Sequence, residues 1–398
     1  MKVLIITAYI PSRGGGGIER HVYDLAMGLG RKGVDVTVAC ENAVHFPGHA
    51  EEIRERLKLI DVRRGTAPLL MPLRRQRSLS VLLDSTDYAV GNLRYSRAVA
   101  KAINPEDYDV IHSHAQHGFY TFSRCSRKRA RPGLVMTLHG TFAGYYASLR
   151  KHQLGFPLPL PDILVNSLME YASSRAADAC IAISRNDALE GRRHYRVPES
   201  KMHIVYNWID KNLFYPRDRQ MARDTLGLDQ KQKYLMFTGR TDGAKGYFLL
   251  LEAMRRIGDR ATLLVASKGA GGFGEKAMKN VKCLGYVDDE VLPLYYGAAD
   301  LFTLPSIYEG FGLSFLEAMA CGSVPVAIDE GPMNEIVDRE VGYLCKKFDA
   351  AAYADTILEA LEQDLTEKRA LSLKKSLVFD MDKSVDETLA VYESTMKH

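Results

Sequence analysis

Two glutamates, Glu309 and Glu317, stand eight residues apart, with Gly310-Phe311-Gly312-Leu313-Ser314 between them. The preceding apolar run, 300–304, reads as a buried parallel strand, and the run after Gly312 reads as a helix that stops at Gly322. A glycine turn between strand and helix offers free backbone N–H groups and the positive end of a helix dipole, which suits a phosphate. Glu309 precedes the turn, and Glu317 lies about one turn into the helix. One acid can then meet a sugar and the other a ribose, with a diphosphate between them. A second charged set, Thr238-Gly239-Arg240-Thr241-Asp242-Gly243-Ala244-Lys245-Gly246, follows another strand and precedes another helix. Arg240 offers a planar fork and Lys245 a mobile point charge, and both suit a diphosphate whose charge must be neutralised as it leaves. The plainer alternatives are a capping acid with an exposed helical glutamate, and a loop carrying two exposed cations.

Other clusters are weaker. Gly14-Gly15-Gly16-Gly17-Ile18-Glu19 follows the first strand and opens a helix, so its backbone can approach a ligand or simply form a loose turn. His139 ends a strand in Thr137-Leu138-His139-Gly140-Thr141, while His112, His114 and His117 follow another strand. Neither carboxylate nor cysteine lies among those three, so cleft lining or packing is the expected role rather than metal binding. Two segments spell the dinucleotide pattern G-x-G-x-x-G. Gly28 to Gly33 has its helix before and its strand after, the reverse of what that pattern needs. Gly269 to Gly274 does follow a strand, but as a lone match it makes a weak case for a nicotinamide enzyme.

The elements that must position these groups alternate along the chain. Strands are expected at 2–7, 34–39, 108–112, 133–138, 179–183, 203–206, 234–238, 261–266, 281–284, 300–304 and 324–328, with helical segments between. Such alternation predicts an α/β protein with parallel sheets covered by helices, and the strands are too many for one ordinary sheet. The length of 398 residues also suits two domains. A polar stretch from Asp210 to Lys233 separates the two sets. A hydrophobic share of 46% and a charged share of 26% describe a globular protein, and no apolar run is long enough to span a membrane. The start reads as a strand rather than a signal peptide. Cys40, Cys125, Cys180, Cys283, Cys321 and Cys345 are dispersed, as free thiols in a reducing compartment would be. Residues 1–205 carry 29 Lys and Arg against 19 Asp and Glu, and the remainder 24 against 30, so one half is basic and the other acidic. No nucleic-acid reader motif accompanies the basic half.

The segment from Pro305 to Ala318 closely resembles the donor-site signature Glu-x7-Glu of the retaining, GT-B-type glycosyltransferases of family 4. Arg240 and Lys245-Gly246 resemble the family's donor-phosphate pair. Tyr206-Asn207-Trp208-Ile209-Asp210 is similar to its hinge, with Trp208 where Gly is commoner, and the segment before the last helix resembles its closing element. The resemblance is dense from about 234 to 345 and looser before 205, as expected if the second domain binds a common donor and the first a variable acceptor. It implies a GT-B fold: two Rossmann-like domains facing a central cleft, with the C-terminal helix crossing back to the first. The implied domains are 1–207 with 380–398 for the acceptor, and 208–379 for the nucleotide sugar. The implied activity is transfer of a sugar, with retention, to an acceptor hydroxyl, a lipid-linked or cell-envelope glycan being expected.

The resemblance assigns roles residue by residue. Glu309 positions the transferred sugar and Glu317 binds ribose. Arg240 and Lys245 hold the diphosphate, and backbone groups of Gly310, Phe311, Gly312, Leu313 and Ser314 assist. His139, Gly15 and Gly16 meet the donor from the first domain, and Val287 lies at the base-binding edge. No cofactor and no metal are implied, and no DxD metal motif is found at a suitable place. A UDP-sugar is expected, with a GDP-sugar as runner-up if Asp288 or Asp289 reads guanine rather than capping the next helix. A sugar-nucleotide epimerase, a phosphorylase and an inactive sugar-nucleotide-binding protein share the architecture and stay as alternatives. Expected partners are the nucleotide sugar and an acceptor glycan, lipid or small molecule. The basic, leucine-containing stretch 54–77 is either a solvated face or a landing surface for an anionic membrane. The expected location is the cytoplasm, with peripheral contact to the inner face of the membrane.

Overall fold

The computed structural model describes residues 1–8, 17–41, 57–63, 77–128, 130–154, 160–272 and 278–396. They form two compact units: 1–147, 155–207 and 381–398 make the first, and 148–154 with 208–380 the second. The expected division placed 148–154 in the first domain and Asp380 with the last helix. The structure groups both with the second unit, where Ser148 Oγ donates to the Ile307 carbonyl at 2.7 Å and Lys211 Nζ to Asp380 at 2.6 Å.

The first unit holds seven parallel strands: β1 (Lys2–Ile6), β2 (Asp35–Cys40), β3 (Lys58–Asp61), β4 (Val110–His114), β5 (Gly133–Leu138), β6 (Ala179–Ala182) and β7 (Met202–Ile204). Their order is β3-β2-β1-β4-β5-β6-β7, so the chain reverses direction across the sheet between β1 and β4. Central strands are apolar on both faces because helices cover both, and Leu4, Ile6, Ile111, Leu134 and Met136 join one core with Tyr95 and Phe122. The helix Met381–Thr395 belongs to this unit. It lies close against the helix Gly17–Arg31: a Cβ on Gly28 would come within 2.7 Å of Val385, so only glycine lets the two backbones approach this far. Lys32 Nζ reaches Asp386 at 2.6 Å on the rim of that contact. Gly28 to Gly33 is therefore a helix end that also packs a helix, not a nucleotide loop.

The second unit holds six parallel strands: β8 (Tyr234–Thr238), β9 (Thr262–Ala266), β10 (Val281–Gly285), β11 (Leu301–Leu304), β12 (Val324–Ile328) and β13 (Tyr343–Cys345), in the order β10-β9-β8-β11-β12-β13. Here the reversal falls between β8 and β11. Two edge strands, β3 and β13, lie outside the expected set. β3 falls within the basic stretch 54–77, yet it pairs with β2, Lys58 facing Thr37 and Asp61 facing Cys40. The helix Thr366–Ser376 was also not anticipated. Five of the six free cysteines are buried and Cys283 is half-buried. Among the described residues, no helix is long and apolar enough to cross a membrane.

Candidate active site

In open parallel sheets, ligands sit beyond the carboxyl ends of the strands where the strand order reverses. In the second unit that place is the end of β8 and β11, and both expected charged clusters leave from it. After β8 the chain passes Gly239, Arg240 and Lys245 and enters the helix Tyr247–Ile257 through Gly246. Gly246 has φ +66°, and a Cβ there would lie 2.0 Å from the Pro305 carbonyl, so the loop can press against the end of β11 only as glycine. Two bonds stitch the loops together: Ile307 N donates to the Ala244 carbonyl at 3.0 Å and Ser306 Oγ to the same oxygen at 3.2 Å.

Asp242 organises the cationic loop. Its carboxylate accepts from Arg240 Nε at 2.6 Å and from the Lys245 backbone N–H at 2.9 Å. The Lys245 ammonium crosses to the other loop and donates to Glu309 Oε1 at 2.6 Å. Their side chains are 17% and 11% exposed, so the pair sits at the floor of the loops, while Arg240 is open to solvent. Gly312, with φ +98°, caps the helix Leu313–Ala320, and Leu313 and Ser314 at its start are half-buried. Glu317 is 7% exposed; its Oε2 accepts from the Tyr296 hydroxyl at 3.2 Å, which in turn meets Thr238 Oγ1 at 3.0 Å. Glu317 is thus tied back to the end of β8. The Phe311 ring is buried and packs edge-on to Phe379 at 5.3 Å, so this residue has only its backbone to offer a donor. Val287 is half-buried on the turn after β10, beside an exposed Tyr286 whose ring lies 4.7 Å from Lys268 Nζ. The helix Leu292–Ala298 begins at Val291, and the Asp288 carbonyl accepts from the Val291 and Leu292 N–H groups, each at 2.9 Å.

In the first unit, the reversal lies between β1 and β4, and it gathers imidazoles. His139 follows β5 and His114 ends β4. His139 Nε2 lies 2.9 Å from His114 Nδ1, with the rings stacked at 5.2 Å. His21, from the helix Gly17–Arg31, meets His139 edge-on at 4.9 Å. One ring nitrogen from each of His21, His114 and His139 lies within 4.8 Å of the others, which makes these three, rather than His112, His114 and His117, the described group with metal-ligand spacing. His112 is engaged on both sides, by the Tyr392 hydroxyl and by Thr137 Oγ1, each at 2.7 Å. His117 Nδ1 bonds to the His114 carbonyl. Burial holds the rings of His21, His112, His114 and His139 neutral. It lowers the pKa of His21 to about 4 and of His112 to about 3, and pushes His114 and His139 well below the ordinary value, with the neighbouring imidazoles adding to it.

The loop after His139 rests on acids that the sequence reading passed over. The Gly140 N–H donates to Asp187, Thr141 Oγ1 to Glu190, and the Phe142 N–H to Glu170. Burial raises Glu170 to about 7 and Asp187 well above the usual carboxylate range. His21 was also missed: it stands next to Val22 on the buried face of an amphipathic helix, where a histidine reads as core. Gly15 and Gly16, the end of the second glycine pattern (Phe273 and Gly274), and most of the basic stretch, including Arg54, Arg56, Arg64, Arg74 and Arg75, lie outside the described residues.

Comparison with known proteins agrees with this arrangement. Residues 218–375 match the family described as glycosyl transferases group 1, and residues 15–213 match glycosyltransferase family 4. The chain is 31% identical to a D-inositol 3-phosphate glycosyltransferase of Catenulispora acidiphila over 316 residues, 74% of each chain. Among solved structures it is similar to sucrose-phosphate synthase of Thermosynechococcus elongatus, with a TM-score of 0.78 at 21% identity over 99% of this chain and 98% of the other. It is also similar to HepE of Anabaena, solved in complex with UDP-glucose, with a TM-score of 0.70 at 19% identity over 98% and 99%. Two Rossmann-like units of this kind are the GT-B fold, and the chain belongs to family 4 of the glycosyltransferases and is itself a glycosyltransferase.

Proposed function

We propose that this enzyme transfers a sugar from a UDP-sugar to an acceptor hydroxyl with retention at the anomeric carbon, without a metal ion. The observation that carries the reading is the Lys245–Glu309 pair, joined at 2.6 Å where β8 and β11 end. It sets a cation for the departing diphosphate against a carboxylate for the transferred sugar. Arg240 adds a second cation, the backbone N–H groups from Gly312 to Ser314 add neutral donors, and Glu317 takes the ribose hydroxyls. The bond between the anomeric carbon and the phosphate oxygen breaks, and the acceptor oxygen bonds to the same face of that carbon. The acceptor proton passes to the departing phosphate, so the protein supplies leaving-group stabilisation rather than a nucleophile. A uridine nucleotide is favoured because the similar HepE was solved with UDP-glucose.

The acceptor is proposed to be an anionic one, a phosphorylated polyol or a lipid-linked glycan. The basic balance of residues 1–205 supports this, as does the inositol phosphate in the name of the C. acidiphila relative. The test is transfer from UDP-sugars to phosphorylated and unphosphorylated acceptors, with the product's anomeric configuration read by NMR. Transfer with retention to the phosphorylated acceptor is expected. An inverted product would overturn the mechanism, and transfer confined to neutral acceptors would overturn the acceptor class.

A further inference from the structure

The histidines of the first unit fix a protonation pattern. Two neutral imidazoles whose nitrogens lie 2.9 Å apart share one proton, so either His114 Nδ1–H donates to His139 Nε2 or His139 Nε2–H donates to His114 Nδ1. His114 is fully buried, and its Nε2 has no hydrogen-bond partner. In the second arrangement the His114 proton would sit on that Nε2, a buried N–H with nothing to receive it. In the first arrangement the same atom is only a lone pair. Buried donors without acceptors are the rarer and costlier defect, which selects the first arrangement. The His139 proton then resides on Nδ1, which among the described residues makes no hydrogen bond. The ring of His114 is itself held in place: it lies 4.3 Å from His112, which the Tyr392 hydroxyl and Thr137 Oγ1 fix from both ends.

We infer that His114 is a positioning residue that locks His139 in the Nδ1–H form, so that His139 meets its substrate as a hydrogen-bond donor and not as a base. The acceptor of that bond is an oxygen, a sugar hydroxyl or the oxygen of the breaking glycosyl bond. The inference rests on the reading that His139 contacts substrate, but the tautomer itself is measured without turnover.

The full-length protein is labelled with 15N at histidine, and long-range 1H–15N correlations are recorded. The signals lost in His139→Gln identify the ring. The Nδ1–H pattern at His139 is expected, and an Nε2–H pattern overturns the inference whether or not sugar transfer occurs. Two variants then separate positioning from packing. His114→Asn keeps an N–H near the place of Nδ1, while His114→Phe keeps the ring and removes the donor. His114→Phe is expected to lower kcat roughly tenfold or more with little change in donor KM, and His114→Asn to recover most of that loss. Equal losses in both variants, or no loss in His114→Phe, overturn the inference. If His114→Phe does not fold, the wild-type spectrum and the His139 pattern in His114→Asn decide. Titration with Zn2+ closes the remaining route: stoichiometric binding that requires both His114 and His139 would put an ion where the proton between Nδ1 of His114 and Nε2 of His139 is placed, and would overturn the shared-proton arrangement.

Discussion

Lys245 and Glu309, 64 residues apart in sequence, meet at 2.6 Å with both side chains largely withdrawn from water. Under the proposed roles, the free enzyme already holds the cation assigned to the diphosphate against the carboxylate assigned to the sugar. Removing either partner strands the other in a poorly solvated place, so the two act as a unit. Lys245→Ala is expected to lower kcat by roughly a hundredfold or more, as for loss of one preorganised donor at a developing anion. The double variant Lys245→Ala/Glu309→Gln should lose much less than the product of the two single losses. Steady-state kinetics on all four proteins checks this, and simple multiplication of the losses would show that the contact plays no part.

Glu317 and Glu309 should fail differently. Glu317 is anchored through Tyr296 to Thr238 and is assigned to the ribose, which stays bound throughout the reaction. Its contribution is uniform binding, so Glu317→Ala is expected to weaken UDP affinity with a smaller effect on kcat. Glu309 is assigned to the reacting sugar, so Glu309→Ala is expected to lower kcat while UDP still binds. Calorimetry with UDP, beside kinetics, separates the two, and unchanged UDP affinity in Glu317→Ala would remove the ribose assignment.

Much of this arrangement is legible in the sequence, and the remainder has a physical reason for being hidden. Central strands such as Lys2–Ile6 and Val324–Ile328 are continuous apolar runs because both faces are covered. β3 and β13 are short and half-buried at sheet edges, so Lys58–Asp61 looks like part of a charged stretch. The glutamate spacing and the Arg240–Lys245 loop are local patterns and can be read directly. The Lys245–Glu309 contact is not local, and neither is the gathering of His21, His114 and His139 from a helix and two strand ends. Only the strand order brings those three together. Asp187, Glu190 and Glu170 look like ordinary helical acids until the loop after His139 is seen resting on them.

Glu170 makes stability depend on pH. It is buried and accepts from the Phe142 N–H at 3.1 Å and from the Tyr195 hydroxyl. Its folded-state pKa, raised to about 7, lies above the value of 4.5 expected when unfolded. Between those values the native state holds the proton and the unfolded chain does not, so this group's contribution to stability falls as pH rises from 4.5 to 7 and stays low above that. Glu170→Gln keeps an acceptor and never ionises. It should raise the melting temperature by several degrees at pH 8 and by little at pH 4.5. Melting curves at the two pH values test this, and an equal shift at both would mean that burial of the charge is not the cause.

Divalent metal should be dispensable for transfer. Two cations are already present: Asp242 accepts from the Arg240 guanidinium and from the Lys245 backbone N–H, while the Lys245 ammonium reaches Glu309. Transfer is expected to survive EDTA, and Arg240→Ala should not be rescued by Mg2+ or Mn2+. Activity abolished by EDTA and restored by Mn2+ would assign the diphosphate charge to an ion instead.

The proposed site for choosing the nucleotide lies near Val287. The turn after β10 exposes Tyr286 with Lys268 over its ring, and Asp288 and Asp289 follow ahead of the next helix. Guanine presents N1–H and an exocyclic amine, which a carboxylate there can accept, whereas uracil offers one N–H and two carbonyls that backbone groups of Tyr286 and Val287 can meet. UDP is expected to bind more tightly than GDP by calorimetry. GDP binding tenfold tighter, about 1.4 kcal/mol, would reverse the assignment and give the acidic pair a reading role. Asp289→Asn then tests that role: a carboxylate that reads guanine loses the GDP preference on amidation, and a preference that survives the change places the discrimination in the backbone of the turn.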